Sequence, residues 1–163
     1  MRHGGRILAD HLAAYGVERV FSVPGESFLA ALDGLYERGI PNIVCRHEGG
    51  ATMMAEATGK LTGRPGIAFV TRGPGATNAA AGVHVAKQDS TPMILFVGQI
   101  ARAHRDREAF QEVDYRATFG PIAKWAAEVD QVERLPEYIS RAFHVAISGR
   151  PGPVVLVLPE DML

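Results

Sequence analysis

Glu48 is the residue whose position most directly suggests chemistry. It follows a predicted buried strand and opens a predicted helix, with two glycines directly after it. A carboxylate at this point could simply be stabilised by the helix dipole. It could instead be a partly buried acid that exchanges a proton with a ligand, because burial makes a carboxyl group a better proton partner near neutral pH. Both interpretations fit this segment when it is taken alone.

A glycine-rich turn is the second candidate. Residues 73–78 read Gly-Pro-Gly-Ala-Thr-Asn and follow another predicted strand. Such a turn lets a ligand approach the backbone at a helix N-terminus, where anions bind, so a phosphate is one possible ligand. The turn lacks the lysine of a P-loop and does not match the dinucleotide fingerprint. A flat ring lying on Pro74 fits equally well, and tight packing of the strand against the helix is the structural alternative.

Composition and charge exclude several classes of function. The 163 residues include 17 basic and 18 acidic side chains, so no basic excess favours nucleic acid or an anionic membrane. The single cysteine, Cys45, excludes an internal disulfide and a cysteine-cluster metal site. His47 has no second ligand at metal-site spacing, so we predict no metal site. Without a signal peptide or a long apolar run, we expect a cytoplasmic protein.

The elements that must position these residues alternate between strand and helix. The strands are short and apolar on both faces, which is typical of a parallel sheet covered by helices on each side. We predict an α/β fold, doubly wound, with a mainly parallel sheet of about six strands and helices on both faces, forming one domain over residues 1–163. Strands are predicted at residues 20–23, 42–45, 67–71, 93–97 and 154–158, and residues 122–129 are ambiguous. Helices are predicted at residues 7–15, 28–38, 48–62, 76–87 and 135–147, with one helical turn at 115–119.

Three helices carry more specific expectations. Ser27 is predicted to cap the second helix, which Gly39 ends. Apolar residues at every fourth position from Leu135 to Ile147 predict the last helix. The small side chains of residues 79–86 would let another helix approach closely, either within the domain or from a partner subunit.

The candidate site lies at one edge of the predicted sheet. Ligands of an open parallel sheet bind beyond the carboxyl ends of its strands. Four of these ends carry unusual residues, namely 24–26, 46–50, 71–78 and 98–99.

These turns resemble the N-terminal pyrimidine-binding domain of thiamine-diphosphate-dependent enzymes, in the acetolactate synthase, pyruvate oxidase and benzoylformate decarboxylase group. The resemblance extends from Gly4 to Pro159 and rests on several motifs in the same order. The motifs are residues 15–17, 20–25, 46–48, 55–57, 73–78, 89–93, 110–112, 152–154 and 159–161.

The resemblance implies that Glu48 is the catalytic residue and hydrogen-bonds N1′ of the aminopyrimidine. This contact favours the imino tautomer, whose 4′-nitrogen removes the thiazolium C2 proton before the cofactor attacks a 2-keto acid. Phe110 and Gln111 match a substrate-side loop, although Phe110 could instead be a hydrophobic anchor for that loop. The residues implied to bind the cofactor are Pro24, Gly25, Glu48, Thr71, Pro74 and Asn78.

The implied activity is of the acetolactate synthase type, a decarboxylation of pyruvate followed by carboligation, which serves branched-chain amino acid biosynthesis. The alternatives are a 2-keto acid decarboxylase or oxidase domain, and a non-catalytic α/β module that binds a nucleotide or a partner. Gly49, Arg72 and Glu26 depart from the resemblance, which expects glutamine, a small residue and glycine there. These departures leave cofactor activation intact and the substrate open.

The resemblance also implies partners. The cofactor diphosphate, Mg²⁺ and, in some branches, FAD bind through other domains, and the Gly-Asp-Gly motif of the diphosphate-binding domain does not occur in this sequence. We therefore expect a diphosphate-binding domain from the same or a partner chain, a homo-oligomer with residues 79–86 as a candidate contact, and little activity of the isolated chain. The end of the sequence shortly after its last strand fits a boundary within a larger protein.

Overall fold

The computed structural model describes residues 2–163, in which six strands alternate with helices. The strands are β1 (Val20–Ser22), β2 (Asn42–Val44), β3 (Gly66–Val70), β4 (Met93–Gln99), β5 (Trp125–Glu128) and β6 (Pro153–Pro159). The helices are α1 (Gly4–Ala14), α2 (Leu29–Glu37), α3 (Glu48–Thr62), α4 (Pro74–Gln88), α5 (Tyr115–Phe119) and α6 (Leu135–Ile147). None of these helices is long and apolar enough to cross a membrane.

The six strands form one sheet in the order β2-β1-β3-β4-β6-β5, and every pair of neighbours is parallel. This confirms the predicted doubly wound α/β fold. The chain runs outward from β1 to β2 and then returns to place β3 on the other side of β1. The strand order therefore reverses between β1 and β3, which is where open α/β sheets form their ligand crevice.

Each face of the sheet has its own core. Phe28, Phe69 and Phe96 stack on the face that α1, α2 and α6 cover, with ring centroids 5.8 and 4.7 Å apart. The opposite face is covered by α3, α4 and α5 and is built mainly from alanine and valine. Small side chains let the helices on this second face come close to the sheet and to each other.

The alanine-rich part of α4 packs within the domain. A Cβ at Gly82 would lie 2.3 Å from Oγ1 of Thr52 in α3, so the two helices touch where only glycine fits. Ala79 and Ala86 are fully buried on the same side of α4. The intramolecular alternative for this stripe is therefore correct, and its buried residues are not available as an oligomer contact.

Two local predictions are wrong. Ser27 does not cap α2, because a 3₁₀ turn, Glu26–Phe28, precedes that helix and no side chain bonds its N-terminus. The strand before Glu48, β2, lies at the edge of the sheet and is partly exposed rather than buried. The predicted last helix forms as α6, and its final residue, Ile147, is half exposed because positions spaced by four advance about 40° around a 3.6-residue helix.

Candidate functional site

The crevice between β1 and β3 is walled by two turns that touch. A Cβ at Gly25, in the turn after β1, would lie 2.4 Å from Cβ of Thr71, which directly follows β3. No larger residue fits at position 25 without moving one of the turns. Pro24 is exposed on the outer side of the same turn. The structure thus brings three of the predicted cofactor residues to the point where the strand order reverses.

The start of α3 presents Glu48 to this edge. His47 caps the helix, with its Nδ1 accepting a hydrogen bond from the Gly49 N–H at 3.0 Å. Glu48 is the first residue of the helix and is only 9% exposed. The positive end of the helix dipole stabilises an acidic group in the first turn. His47 is therefore a structural cap of α3.

The start of α4 supplies the facing wall. Gly73 has φ of +63°, a conformation that side chains disfavour, and Pro74 occupies the first turn of the helix. The buried N–H of Gly73 donates a hydrogen bond to the hydroxyl oxygen of Tyr115. Pro74 and Asn78 are both exposed on this turn. Tyr115 thus holds the buried side of the glycine-rich turn, and the side that carries Pro74 and Asn78 is accessible to a ligand.

Glu48 joins the two helix starts. Its Oε2 accepts a hydrogen bond from Nδ2 of Asn78 at 3.1 Å. A Cβ at Gly75 would lie 3.3 Å from Oε1 of Glu48 and 2.7 Å from Cγ2 of Thr71. The carboxylate of Glu48 and the side chain of Thr71 therefore pack against Gly75, where a larger residue would clash. In residues 2–163, no donor hydrogen-bonds to Oε1, which can accept a proton or hydrogen bond from a ligand.

The loop between β4 and α5 reaches the same turn. The Cβ of Gln111 lies 2.7 Å from the position that a Cβ of Gly73 would occupy, so the two residues are in contact. Glu112 fastens the loop by accepting hydrogen bonds from the N–H groups of Asp106 and Ala109. Phe110 is 77% exposed, so it does not anchor the loop to the core. Gln111 borders the candidate site, whereas Phe110 extends into solvent beside it.

The remaining strand-end candidate is structural. Gln99 is buried, donates a hydrogen bond from Nε2 to the Val113 carbonyl at 2.9 Å, and accepts one from the Ile100 N–H. Both ends of its amide are therefore engaged by the backbone. Across the described part of the chain, no group of three His, Cys, Asp or Glu side chains could hold a metal ion.

Two partners of the site were not anticipated from the sequence. Tyr115 holds Gly73, and the buried Ser27 lies 2.9 Å, Oγ to Oγ1, from Thr71. Each contact joins residues more than 40 positions apart, so no local pattern could have revealed it. The unusual residues at four predicted strand ends were the signal that the sequence offered.

The chain is similar in sequence to proteins of one known family. A family model described as "Thiamine pyrophosphate enzyme, N-terminal TPP binding domain" matches residues 2–118. Acetolactate synthase of Bacillus subtilis (strain 168) is 39% identical over 160 residues, which cover 98% of this chain and 28% of the relative. The acetolactate synthase isozyme 3 large subunit of Escherichia coli (strain K12) is 40% identical over 164 residues, covering 100% and 29% respectively.

A eukaryotic relative is equally similar. The mitochondrial acetolactate synthase catalytic subunit of Saccharomyces cerevisiae is 39% identical over 160 residues, covering 98% of this chain and 23% of the relative. The chain thus spans less than a third of the length of these relatives.

Proposed function

Because the chain belongs to the thiamine pyrophosphate enzymes, as their N-terminal TPP binding domain, we propose that it holds the aminopyrimidine half of thiamine diphosphate. The enzyme that it serves would act on 2-keto acids in the manner of an acetolactate synthase, decarboxylating pyruvate and joining the product to a second keto acid. The observation that carries this proposal is the buried Glu48 carboxylate, which accepts a hydrogen bond from Asn78 across the starts of α3 and α4 at the edge of the sheet where the strand order reverses.

The crevice fits a flat, nitrogen-containing ring. Gly25 and Gly75 both pack against the Thr71 side chain, so the turns that carry them lie close together and a larger residue at either position would displace them. Glu48 offers one carboxylate oxygen to a ring N–H, while Asn78 engages the other. We assign Pro24 and Pro74 to the apolar walls, since proline offers an apolar ring surface and no N–H donor.

When bound, thiamine diphosphate supplies an electron sink for the charge that develops as a 2-keto acid loses CO₂. Glu48 holds a proton at N1′ of the aminopyrimidine, and Asn78 keeps the carboxylate aimed at that atom. The Glu48 carboxylate is itself buried, which strengthens its hydrogen bond with Asn78. Thr71 and Gly25 orient the ring, and Gln111 and Phe110 border the substrate side.

The other half of the cofactor requires residues outside this chain. We propose that a diphosphate-binding domain, in the same or a partner chain, holds the diphosphate and its Mg²⁺, and that FAD, where used, binds a further domain. The short span of the chain relative to its relatives supports this division. We further propose a homo-oligomer in the cytoplasm that contributes to branched-chain amino acid biosynthesis. The isolated chain would then be inactive.

The test uses the complete enzyme, meaning a longer chain that contains these residues or this chain reconstituted with a diphosphate-binding partner. Calorimetry with thiamine diphosphate and Mg²⁺ should show binding, and incubation with pyruvate should yield CO₂ and acetolactate. An aldehyde without carboligation would indicate a 2-keto acid decarboxylase instead. Binding of ATP by the isolated chain, with no binding of thiamine diphosphate by the complete enzyme, would overturn the proposal in favour of a nucleotide-binding module.

A further inference from the structure

A cavity of about 770 Å³ lies at the edge of the sheet opposite the candidate site. Its lining includes residues 15–19, which precede β1, and residues 64–67, which include the start of β3. The candidate site instead lies beyond the carboxyl ends of the same two strands, at Gly25 and Thr71. The cavity is therefore separate from the crevice at Glu48. Its volume falls within the range of about 300–1,000 Å³ that is common for small-molecule sites.

The apolar wall of this cavity is rigid. The rings of Tyr15 and Phe143 stack in parallel with their centroids 4.1 Å apart, and the Tyr15 hydroxyl donates a hydrogen bond to Oγ of Ser140 at 2.9 Å. Leu61, at the end of α3, and Ile147, at the end of α6, line the same cavity and are 87% and 50% exposed. Large apolar side chains that are exposed together around one concave surface, and bordered by polar residues, indicate a binding surface.

The cavity also carries a guanidinium in a fixed position. Arg64 donates hydrogen bonds from Nη2 to the carbonyl oxygens of Tyr15 at 2.7 Å and of Gly16 at 3.1 Å. Gly16 has φ of +69°, and a Cβ there would lie 2.8 Å from Nη2, so glycine permits this close approach. Within residues 2–163, Arg64 forms no ion pair, and its Nε and Nη1 make no hydrogen bond. These two groups are therefore available to donate to a ligand.

The charges around the cavity favour an anion. The other arginine in the lining, Arg19, pairs with Glu18 at 3.3 Å, so these two charges largely cancel. Arg64 is then the charge that lacks an opposite charge among the lining residues, and His144 can add only positive charge. A guanidinium with free N–H groups matches the geometry of a carboxylate.

We propose that this cavity is a binding site for a small apolar carboxylate. The hydrophobic body of the ligand lies against Tyr15 and Leu61, and its carboxylate accepts hydrogen bonds from Arg64. Because the Tyr15 ring and the Arg64 guanidinium are already held in place, little ordering of side chains opposes binding. The site does not rest on the proposed function, since none of its residues belongs to the crevice at Glu48.

The test uses two probes, 2-naphthoate and 2-naphthamide, which have nearly the same flat apolar shape and differ in charge. Both are titrated by calorimetry into the complete enzyme, with and without saturating thiamine diphosphate and Mg²⁺. We expect 2-naphthoate to bind with a Kd about tenfold or more below that of 2-naphthamide, because hydrogen bonds to a charged group are the strong ones. The cofactor should leave both Kd values unchanged.

Two outcomes of this titration would overturn the proposal. One is that 2-naphthoate does not bind the complete enzyme. The other is that its binding disappears when the cofactor is saturating, since the probe would then occupy the crevice at Glu48.

Two substitutions locate the bound probe. Arg64→Met should weaken 2-naphthoate binding about tenfold and remove its preference over 2-naphthamide. Leu61→Ala should weaken the binding of both probes about threefold or more, because apolar contact is lost. Both side chains are exposed, so neither change should prevent folding, and the Tm of each variant checks this.

Arg150→Met and Leu29→Ala are the matched controls. Arg150, like Arg64, donates hydrogen bonds to two backbone carbonyl oxygens, but it lies outside the cavity. Leu29 is 61% exposed at the start of α2 and also lies outside it. Both control variants should bind the two probes as the wild type does. An unchanged Kd in Arg64→Met, or an equal loss in Arg150→Met, would contradict the proposed contact with the carboxylate.

The outcomes separate this inference from the proposed function. A complete enzyme that binds thiamine diphosphate but not 2-naphthoate overturns the new site alone. A complete enzyme that binds 2-naphthoate through Arg64 but does not bind thiamine diphosphate overturns the proposed function alone.

Discussion

Asn78 donates a hydrogen bond to the carboxylate of Glu48 across the starts of two different helices. The helices α3 and α4 pack against each other over much of their length, through Thr52 and Gly82, so their N-termini meet at one edge of the sheet. A carboxylate at such a position is stabilised by the helix end and oriented by the amide. The packing of Thr52 against Gly82, one helical turn beyond Glu48 and Asn78, therefore helps determine where the proposed catalytic oxygen lies.

The role of Glu48 can be tested by removing its charge. Glu48→Gln in the complete enzyme should slow exchange of the cofactor C2 proton by roughly 10²- to 10⁴-fold, the range typical of a positioned proton partner. Exchange is measured by NMR after quenching in deuterated buffer. The thiamine diphosphate affinity should fall far less, since Asn78 and the glycine-lined walls remain.

Glu56→Gln is the control for that experiment. Glu56 lies on the same helix and is similarly buried, but it accepts a hydrogen bond from Thr91 and pairs with Lys60. This change should lower stability and leave proton exchange at the wild-type rate. Normal exchange in Glu48→Gln would show that the assigned role is wrong.

The fold could be predicted from the sequence because its strands and helices are separated by strong local signals. The bounds of α3 match the prediction at both ends, since His47 and the left-handed Gly63 mark them in the chain itself. The parallel pairing follows from short apolar strands separated by helices, whereas the strand order was not predicted. Only β5 stayed ambiguous, because alternation and helical spacing both fit residues 122–129.

The site was less accessible to sequence reasoning. The turns at residues 24–25 and 71–78 were expected at one edge, because parallel strands end on the same side. The hydrogen bonds that these turns make were not predicted, because they join residues that lie 42 to 46 positions apart in the sequence. Ser27 is a clear example. Its type and position suggest a helix cap, but the chain forms a 3₁₀ turn there and uses the hydroxyl to contact Thr71.

Tyr115→Phe tests the support beneath the glycine-rich turn. The change leaves the buried N–H of Gly73 without its partner, which should cost about 1–3 kcal/mol of unfolding free energy. Burial also raises the pKa of the Tyr115 phenol, so the group stays protonated throughout the neutral range. Urea unfolding measures the loss, and the thiamine diphosphate KM of the complete enzyme should rise because the turn loosens.

Tyr138→Phe serves as the comparison for Tyr115→Phe. Tyr138 stacks on Trp125 at the edge of the sheet, away from the turn, and the substitution keeps its ring. Its unfolding free energy should change by less than about 0.5 kcal/mol, as for most surface changes. Equal effects of the two variants would mean that the Gly73 contact contributes nothing.

A pair of glycine substitutions tests the contact between α3 and α4. An alanine at Gly82 would place Cβ 2.3 Å from Thr52, and such overpacking typically costs about 1–3 kcal/mol. An alanine at Gly50, where no atom lies within 4 Å, should instead stabilise α3 by roughly 0.5–1 kcal/mol. Denaturant unfolding of both variants should therefore show shifts of opposite sign. A stabilising Gly82→Ala would show that the helices are further apart.

The loop beside the candidate site should open in acid. Hydrogen bonds from the backbone N–H groups of Asp106, at 2.7 Å, and Ala109, at 3.1 Å, lower the pKa of Glu112 below its ordinary value of 4.5. A carboxyl whose pKa is lower in the folded state stabilises that state above its unfolded value, and this contribution disappears as the pH falls through the folded value. The two hydrogen bonds that Glu112 accepts, which we call the Glu112 clamp, thus stabilise the loop fully above pH 4.5, and this stabilisation is lost as the pH falls through the lowered pKa of the folded state.

NMR of the chain checks this expectation, with the amide shifts of Asp106 and Ala109 followed from neutral to acidic pH. Both should move together, with a midpoint below 4.5. Glu112→Gln should abolish the transition, because the amide side chain does not ionise, whereas Glu108→Gln in the same exposed loop should preserve it. Since Gln111 contacts Gly73 and is adjacent to Glu112, the Gly73 amide should sense the same midpoint. A midpoint above 4.5 would mean that the clamp does not stabilise the ionised carboxylate.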